Sequence, residues 1–223
     1  MAHQEVVLLG FWTSSYVMRV KIALEEKGVR YKYLEEDIFH NKSPLLLKTN
    51  PVHKKVPVLI HNDKPICESL NILQYIDHVW NDEAAPKLLA EDPYDRAKAR
   101  FWVDCFDKKI ADCGKKMWAS KGEEQEAAAT EFIESLKVLE MELGEKPFFE
   151  GEHFGLLDIA FIPFSCRFYT YEILCNFNVE KEVPKIMEWV RRCYQRDSVS
   201  NSIPDQYKVY DFVLEKKKMY GIS

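Results

Sequence analysis

The chain has 223 residues, 47% of them apolar and 30% charged, with a formal net charge of −5 at pH 7. That composition describes a folded globular protein of one large or two smaller domains and excludes a disordered chain. The acidic balance, with a pI near 5.8, argues against nucleic acid as the main partner, because such proteins carry a basic face.

The opening MAHQEVVLLG lacks a basic start, a long apolar core and a small-residue cleavage site, so no signal peptide is expected. No apolar run approaches the ~20 residues of a membrane span. Cys67, Cys105, Cys113, Cys166, Cys175 and Cys193 are dispersed, with no CxxC and no zinc spacing. Reduced thiols in the cytosol are the expectation. The six histidines show no ligand spacing either, so no metal is expected.

In chain order, EVVLLGF (Glu5–Phe11) reads as a buried strand. Ser15–Lys27 reads as a helix, closed by Gly28, the residue type that stops helices. Val29–Glu36 alternates as a second strand, and an irregular stretch with Pro44 and Pro51 follows. Val58–His61 and Pro65–Cys67 flank Asn62-Asp63, the composition of a tight hairpin. A helix over Ser69–Trp80 completes a β-α-β, β-β-α order. This is the thioredoxin-like arrangement, although element order alone leaves other α+β folds open. Residues 83–92 read as a linker after a first domain of residues 1–82. From residue 93 to 223 the periodicity is helical throughout. Helices are predicted from Pro93 towards Trp118, through the segment ending at Gly144, and over an apolar run from Gly155 to Cys175. Two more follow, over Pro184–Gln195 and Gln206–Met219. The fold class is therefore α/β plus all-α: a thioredoxin-like domain followed by an all-helical bundle.

Thioredoxin-like domains hold thiol compounds. Redox chemistry would need a cysteine where the first helix starts, and this chain has Ser14 and Ser15 there. Either serine could simply cap the helix. The alternative is that one hydroxyl faces a ligand's thiol. A free thiol of pKa about 8.5 is only about 3% ionised at pH 7. A hydroxyl hydrogen bond to the thiolate contributes about 1.5–3 kcal/mol, and a helix N-terminus about 0.3–1 kcal/mol more. At about 1.4 kcal/mol per unit, the thiol pKa falls by one to three units, with no general base. The Val56–Pro57 bond is cis or trans on this reading; a cis bond would turn the Val56 backbone outward for pairing with an extended peptide. Glu68-Ser69, between a strand and a helix, could meet an ammonium group and an anion, or Ser69 could serve as a cap. Lys42 and Lys55 are candidate carboxylate partners.

The segments VVLLGFW, MRVKIALEEKGV, NPVHKKVPVLIHN with KPICESL, and DPYDRAKARFW resemble the plant tau-class glutathione transferases nearly end to end. The resemblance implies a cytosolic homodimer that joins glutathione to apolar electrophiles, with reduction of hydroperoxides as a second use of the same thiolate. It implies a cis bond before Pro57. By position, Ser14 matches the serine that activates the thiol, while Ser15, where proline is common, is assigned to the helix. Lys42 and Lys55 match the glycine-carboxylate contacts, Val56 the backbone partner of the cysteinyl unit, and Glu68 and Ser69 the γ-glutamyl end. Phe11, Tyr16, Trp118, Arg167 and Phe212 match the electrophile site; each aromatic has a core role as its alternative. Thr13 for the usual proline, Val17 for glycine, Arg167 for an aromatic residue and one extra residue before Lys42 depart from the pattern. They imply a narrower, more polar pocket. Asp158 is assigned to folding, bonding back to the Gly155 N–H as half of a capping box. The competing function on the same fold is a carrier of apolar metabolites without turnover.

Overall fold

The structure, a computed structural model, describes residues 5–82 and 85–222. It divides into two compact units, one up to Leu89 and one from Ala90. Leu88, within the stretch that reads as a linker, is buried, and its N–H donates to Asp77 Oδ1 at 2.9 Å. Asp77 also pairs with the buried Lys27 ammonium at 2.7 Å, so this carboxylate fastens the end of the first unit. Glu83 and Ala84, which open the predicted linker, lie outside the described residues.

The first unit runs β1 (Val6–Gly10), α1 (Ser15–Glu26), β2 (Lys32–Glu35), α2 (Pro44–Thr49), β3 (Val58–His61), β4 (Lys64–Cys67) and α3 (Ser69–Val79). The sheet order is β2-β1-β3-β4, with β1 and β2 parallel and the other pairs antiparallel. The interior strand β1 is buried at all five positions, which is why it reads as an unbroken apolar run. Val7, Leu9, Leu46 and Val58 form the core under α2. The hairpin turns through Asn62 (φ 48°) and Asp63 (φ 63°), both left-handed, the geometry that matches strand twist in a two-residue loop. Gly10 admits no side chain: a Cβ there would lie 2.6 Å from Tyr33 Cε2 and 2.7 Å from Val17 Cγ1. Helix α2 corrects the reading of residues around Pro44 as irregular. Ser43 caps it, accepting from the Leu46 N–H at 3.0 Å, and Pro44 occupies the first turn, where its missing N–H costs nothing.

The second unit is helical: α4 (Pro93–Ala119), α5 (Glu123–Leu143), α6 (Leu156–Phe161), α7 (Phe168–Cys175), α8 (Val179–Glu182), α9 (Pro184–Cys193), α10 (Asp197–Ser202) and α11 (Gln206–Met219). The apolar run from Gly155 to Cys175 is not one helix. A 3-10 segment, Ile162–Arg167, separates α6 from α7. Pro163 supplies the cause, since it has no N–H to donate and its ring displaces the carbonyl four residues back. An aromatic core fills the unit: Phe106 stacks on Phe161 at 4.4 Å, and Phe149 meets Phe161 and Trp189 edge-on at 5.2 and 5.3 Å. All six cysteines are free thiols, and Cys113, Cys166 and Cys193 are buried in this core.

Asp158 is wholly buried and accepts three hydrogen bonds: from the Gly155 N–H at 3.0 Å, the Phe149 N–H at 3.1 Å and the Trp189 indole at 2.7 Å. Glu150 stands beside it with its Oε1 buried and without a hydrogen-bond partner among the described residues, and the backbone N–H groups of Leu157 and Leu156 favour its charged form. Because Gly155 has no side chain to cap α6, the Glu150 carboxylate fills that space; its Oε2 lies 2.5 Å from where a Gly155 Cβ would be. Burial, reinforced by the Asp158 charge, raises Glu150 from 4.5 to about 7, and burial raises Asp158 from 3.8 to about 6. Both carboxyls hold protons more tightly folded than unfolded. Their stabilisation is therefore complete below about pH 4 and is lost as pH rises through 6 and 7. The urea midpoint of the wild type is expected to fall between pH 5 and pH 8, and Glu150→Gln to flatten the upper part of that fall. Parallel pH curves for the two proteins would contradict this.

Candidate active site

The register gathers the predicted residues of the first unit at one end of the sheet. Gly10 pairs with Glu35, Leu9 with Val58, and Val58 with Cys67. The turn after β1, the loop after β2, the segment entering β3 and the segment leaving β4 all emerge there. These carry Ser14, Lys42, Lys55 with Val56, and Glu68 with Ser69, respectively.

Ser14 is the N-cap of α1, with extended backbone (φ −76°, ψ 110°). Its Oγ accepts from the Val17 N–H at 3.4 Å, and its own N–H donates to the Phe11 carbonyl at 2.9 Å. The assignment of helix service to Ser15 is thus corrected: Ser15 is the first helical residue, buried, and the cap is Ser14. Capping and ligand binding are compatible in one hydroxyl. A serine oxygen accepts through a lone pair while its proton stays available to donate. The turn is held from β2, where Glu35 accepts from the Trp12 N–H at 3.0 Å and from the Tyr33 hydroxyl at 2.6 Å.

Lys42 is half-buried and precedes a fixed point. Both the N–H and the hydroxyl of Ser43 donate to the buried Glu36 carboxylate, at 3.1 and 2.6 Å. Lys55 is exposed, and its carbonyl accepts from the Asn50 side chain at 2.9 Å. The Val56–Pro57 peptide is cis. Glu68 has a left-handed φ of 71° at the N-cap of α3 and makes no capping bond with its side chain. Such a conformation costs a non-glycine residue about 1–2 kcal/mol, and strain of this kind clusters at ligand sites. Its exposed carboxylate lies 3.8 Å from His53 Nε2. Ser69 is the first helical residue rather than the cap, and its hydroxyl accepts from Arg19 Nη1 at 3.3 Å.

Arg19 is a residue whose role the sequence did not disclose. It is fully buried, stacks over the Tyr16 ring at 4.9 Å and links α1 to the start of α3. The available signal was a cation amid the apolar residues Met18, Val20 and Ile22. Phe11 is half-buried and meets Phe39 edge-on at 5.4 Å. In the helical unit, Trp118 at the end of α4, Arg167 at the end of the 3-10 segment and Phe212 on α11 are each half-buried. Among the described residues no group of three or more His, Cys, Asp or Glu is placed to hold a metal.

The family model described as "Glutathione S-transferase, N-terminal domain" matches residues 4–78, and its C-terminal counterpart matches residues 101–197. A probable glutathione S-transferase of Nicotiana tabacum, parC, is 57% identical over 223 residues, covering 100% of both chains. The chain belongs to the glutathione S-transferase family. Among solved structures, rice GST1, crystallised in complex with glutathione, superposes on this transferase with a TM-score of 0.93 at 46% identity, covering 99% of each chain. The tau class glutathione S-transferase of mango, Mangifera indica, gives a TM-score of 0.87 at 44% identity over 93% of this chain and 96% of its own. The transferase is thus similar to plant tau-class members in both sequence and fold, and its first unit has the thioredoxin-like order of the family.

Proposed function

We propose that the protein binds glutathione on its first unit, ionises the thiol, and joins the sulfur to apolar carbon electrophiles. In the reaction the thiolate forms a carbon–sulfur bond, the leaving group departs with its electron pair, and the thiol proton passes to solvent. Ser14 donates its hydroxyl proton to the thiolate, at the positive end of α1. Lys42 and Lys55 receive the glycine carboxylate, the Val56 backbone pairs with the cysteinyl unit, and Glu68 and Ser69 bind the γ-glutamyl end. Glutathione carries two carboxylates and one ammonium, which this set of two lysines, one glutamate and free N–H groups complements. Phe11 and Tyr16 are the first unit's proposed substrate contacts; Trp118, Arg167 and Phe212 are those of the helical unit. The same thiolate would reduce organic hydroperoxides.

The observation that carries this reading is the Ser14 geometry: an N-cap hydroxyl with its proton still available, at the sheet end where the other candidate residues emerge. A carrier has no use for a thiolate stabiliser, so the enzyme is the better account. A homodimer and a cytosolic location belong to the same proposal. The dimer is supported by an apolar groove of about 370 Å³ between α4 and α5, lined by the exposed Phe101 and Val138. The location is supported by the six free thiols. No helix among the described residues is long and apolar enough to cross a membrane.

The test is the ultraviolet thiolate absorbance of bound glutathione as a function of pH. Ionisation near neutrality is the expected result. A bound thiol that stays protonated up to its solution pKa would overturn the enzyme reading in favour of the carrier.

A further inference from the structure

Lys216 lies on α11 one turn beyond Phe212, so the two side chains share a helix face. Its ammonium is surrounded by rings: Nζ is 5.0 Å from the centroid of Trp118, 5.7 Å from Phe212 and 5.7 Å from Tyr220. Trp118 and Tyr220 are tilted to each other by 37° at 6.5 Å. The cluster therefore has flat, apolar walls and a cation held against them. Two further cations, Arg167 and Lys115, act on the same ammonium and, together with burial, lower its proton affinity. Alpha-11 packs against the 3-10 segment that ends in Arg167. Lys216 and Arg167 are half-buried and Lys115 is exposed, and an anion arriving beside them is attracted by all three cations.

We propose that the helical unit selects aromatic electrophiles that carry a negative charge, with Trp118, Phe212 and Tyr220 receiving the ring and Lys216, aided by Arg167, receiving the anionic substituent. This inference rests on the transferase reading and names the substrate class of its second site. A purely structural Lys216, tying α11 to the end of α4, would give no discrimination between charged and neutral ligands.

The probes are 4-chloro-3,5-dinitrobenzoate and its neutral methyl ester. In each, the glutathione sulfur bonds to the ring carbon that bears chlorine, chloride leaves with the bonding pair, and the thiol proton goes to solvent. Dividing each kcat/KM by the uncatalysed rate constant with glutathione removes the difference in electrophilicity. The wild type is expected to favour the carboxylate by about tenfold or more on this scale. Lys216→Met is expected to lower that preference at least tenfold, Arg167→Met to lower it partway, and Lys216→Arg, which keeps the charge, to retain most of it. A wild-type preference of one or less, or a preference unchanged by Lys216→Met, overturns the inference. Equilibrium dialysis with 3,5-dinitrobenzoate, which has no leaving group, separates the two readings. Weaker binding to Lys216→Met in a protein that turns over neither probe would sustain the anion site and sink the transferase. Turnover of both probes with equal binding to all variants would sink the anion site alone.

Discussion

Ser14→Ala is expected to move the pH limb of kcat/KM for glutathione upward by one to two units and to cut the rate near neutrality by about one order of magnitude. The hydroxyl contributes about 1.5–3 kcal/mol to a charged acceptor, and about 1.4 kcal/mol corresponds to one unit. A bound thiol ionising near 6.5 would then ionise near 8, so its thiolate fraction at pH 6.5 falls from half to a few per cent. The deficit should shrink above pH 9, where the thiol ionises unaided. Because Ser14 also caps α1, the variant loses about 1 kcal/mol of stability as well, and rates must be taken per folded molecule. Ser14→Thr, which keeps both the cap and the proton, should restore most of the activity. Ser15→Ala removes a buried hydroxyl and should leave the pH limb in place. A limb that stays put in Ser14→Ala, or moves in Ser15→Ala, would show that the role has been given to the wrong hydroxyl.

Asp158→Ala is expected to destabilise the protein by about 3 kcal/mol without changing turnover per folded molecule. The substitution strands three donors at once, on Gly155, Phe149 and the Trp189 indole, and each unsatisfied buried group costs about 1–3 kcal/mol. Relief from holding a charge away from water offsets part of the sum. In a chain of this size the melting temperature should drop by about 6–12 °C. Asp158→Asn keeps one acceptor oxygen and should fall between the two proteins. Urea unfolding, paired with kinetics on the folded fraction, is the measurement. Normal stability with catalysis lost would move Asp158 from folding to chemistry.

The hairpin at Asn62-Asp63, the end of α1 at Gly28 and the start of α4 at Pro93 are legible because the residues that make those turns have few other uses. The short α2 is not, since six residues between two prolines carry too little periodicity. The break at Pro163 hides inside an apolar run, because burial on every side erases the pattern that would separate one helix from two. In the first unit, Ser14, Lys42, Lys55, Val56, Glu68 and Ser69 stand beside turns or helix starts that local sequence marks. What orients those candidates is distant: Arg19 reaches Ser69 across 50 positions and Trp12 reaches Glu35 across 23. Adjacent serines are equivalent as letters, and only the backbone angles at Ser14 tell cap from helix.

A protein that gathers carbon electrophiles also risks alkylating itself. Thiols react as thiolates, and five of the chain's own sulfurs are held back from ionising. Burial pushes Cys113 and Cys166 up to about 11 and raises Cys67, Cys175 and Cys193 as well. At a pKa of about 11 roughly one such group in ten thousand is ionised at pH 7. Against a ligand thiol that ionises near neutrality, as proposed for bound glutathione, these five sulfurs would be the poorer nucleophiles.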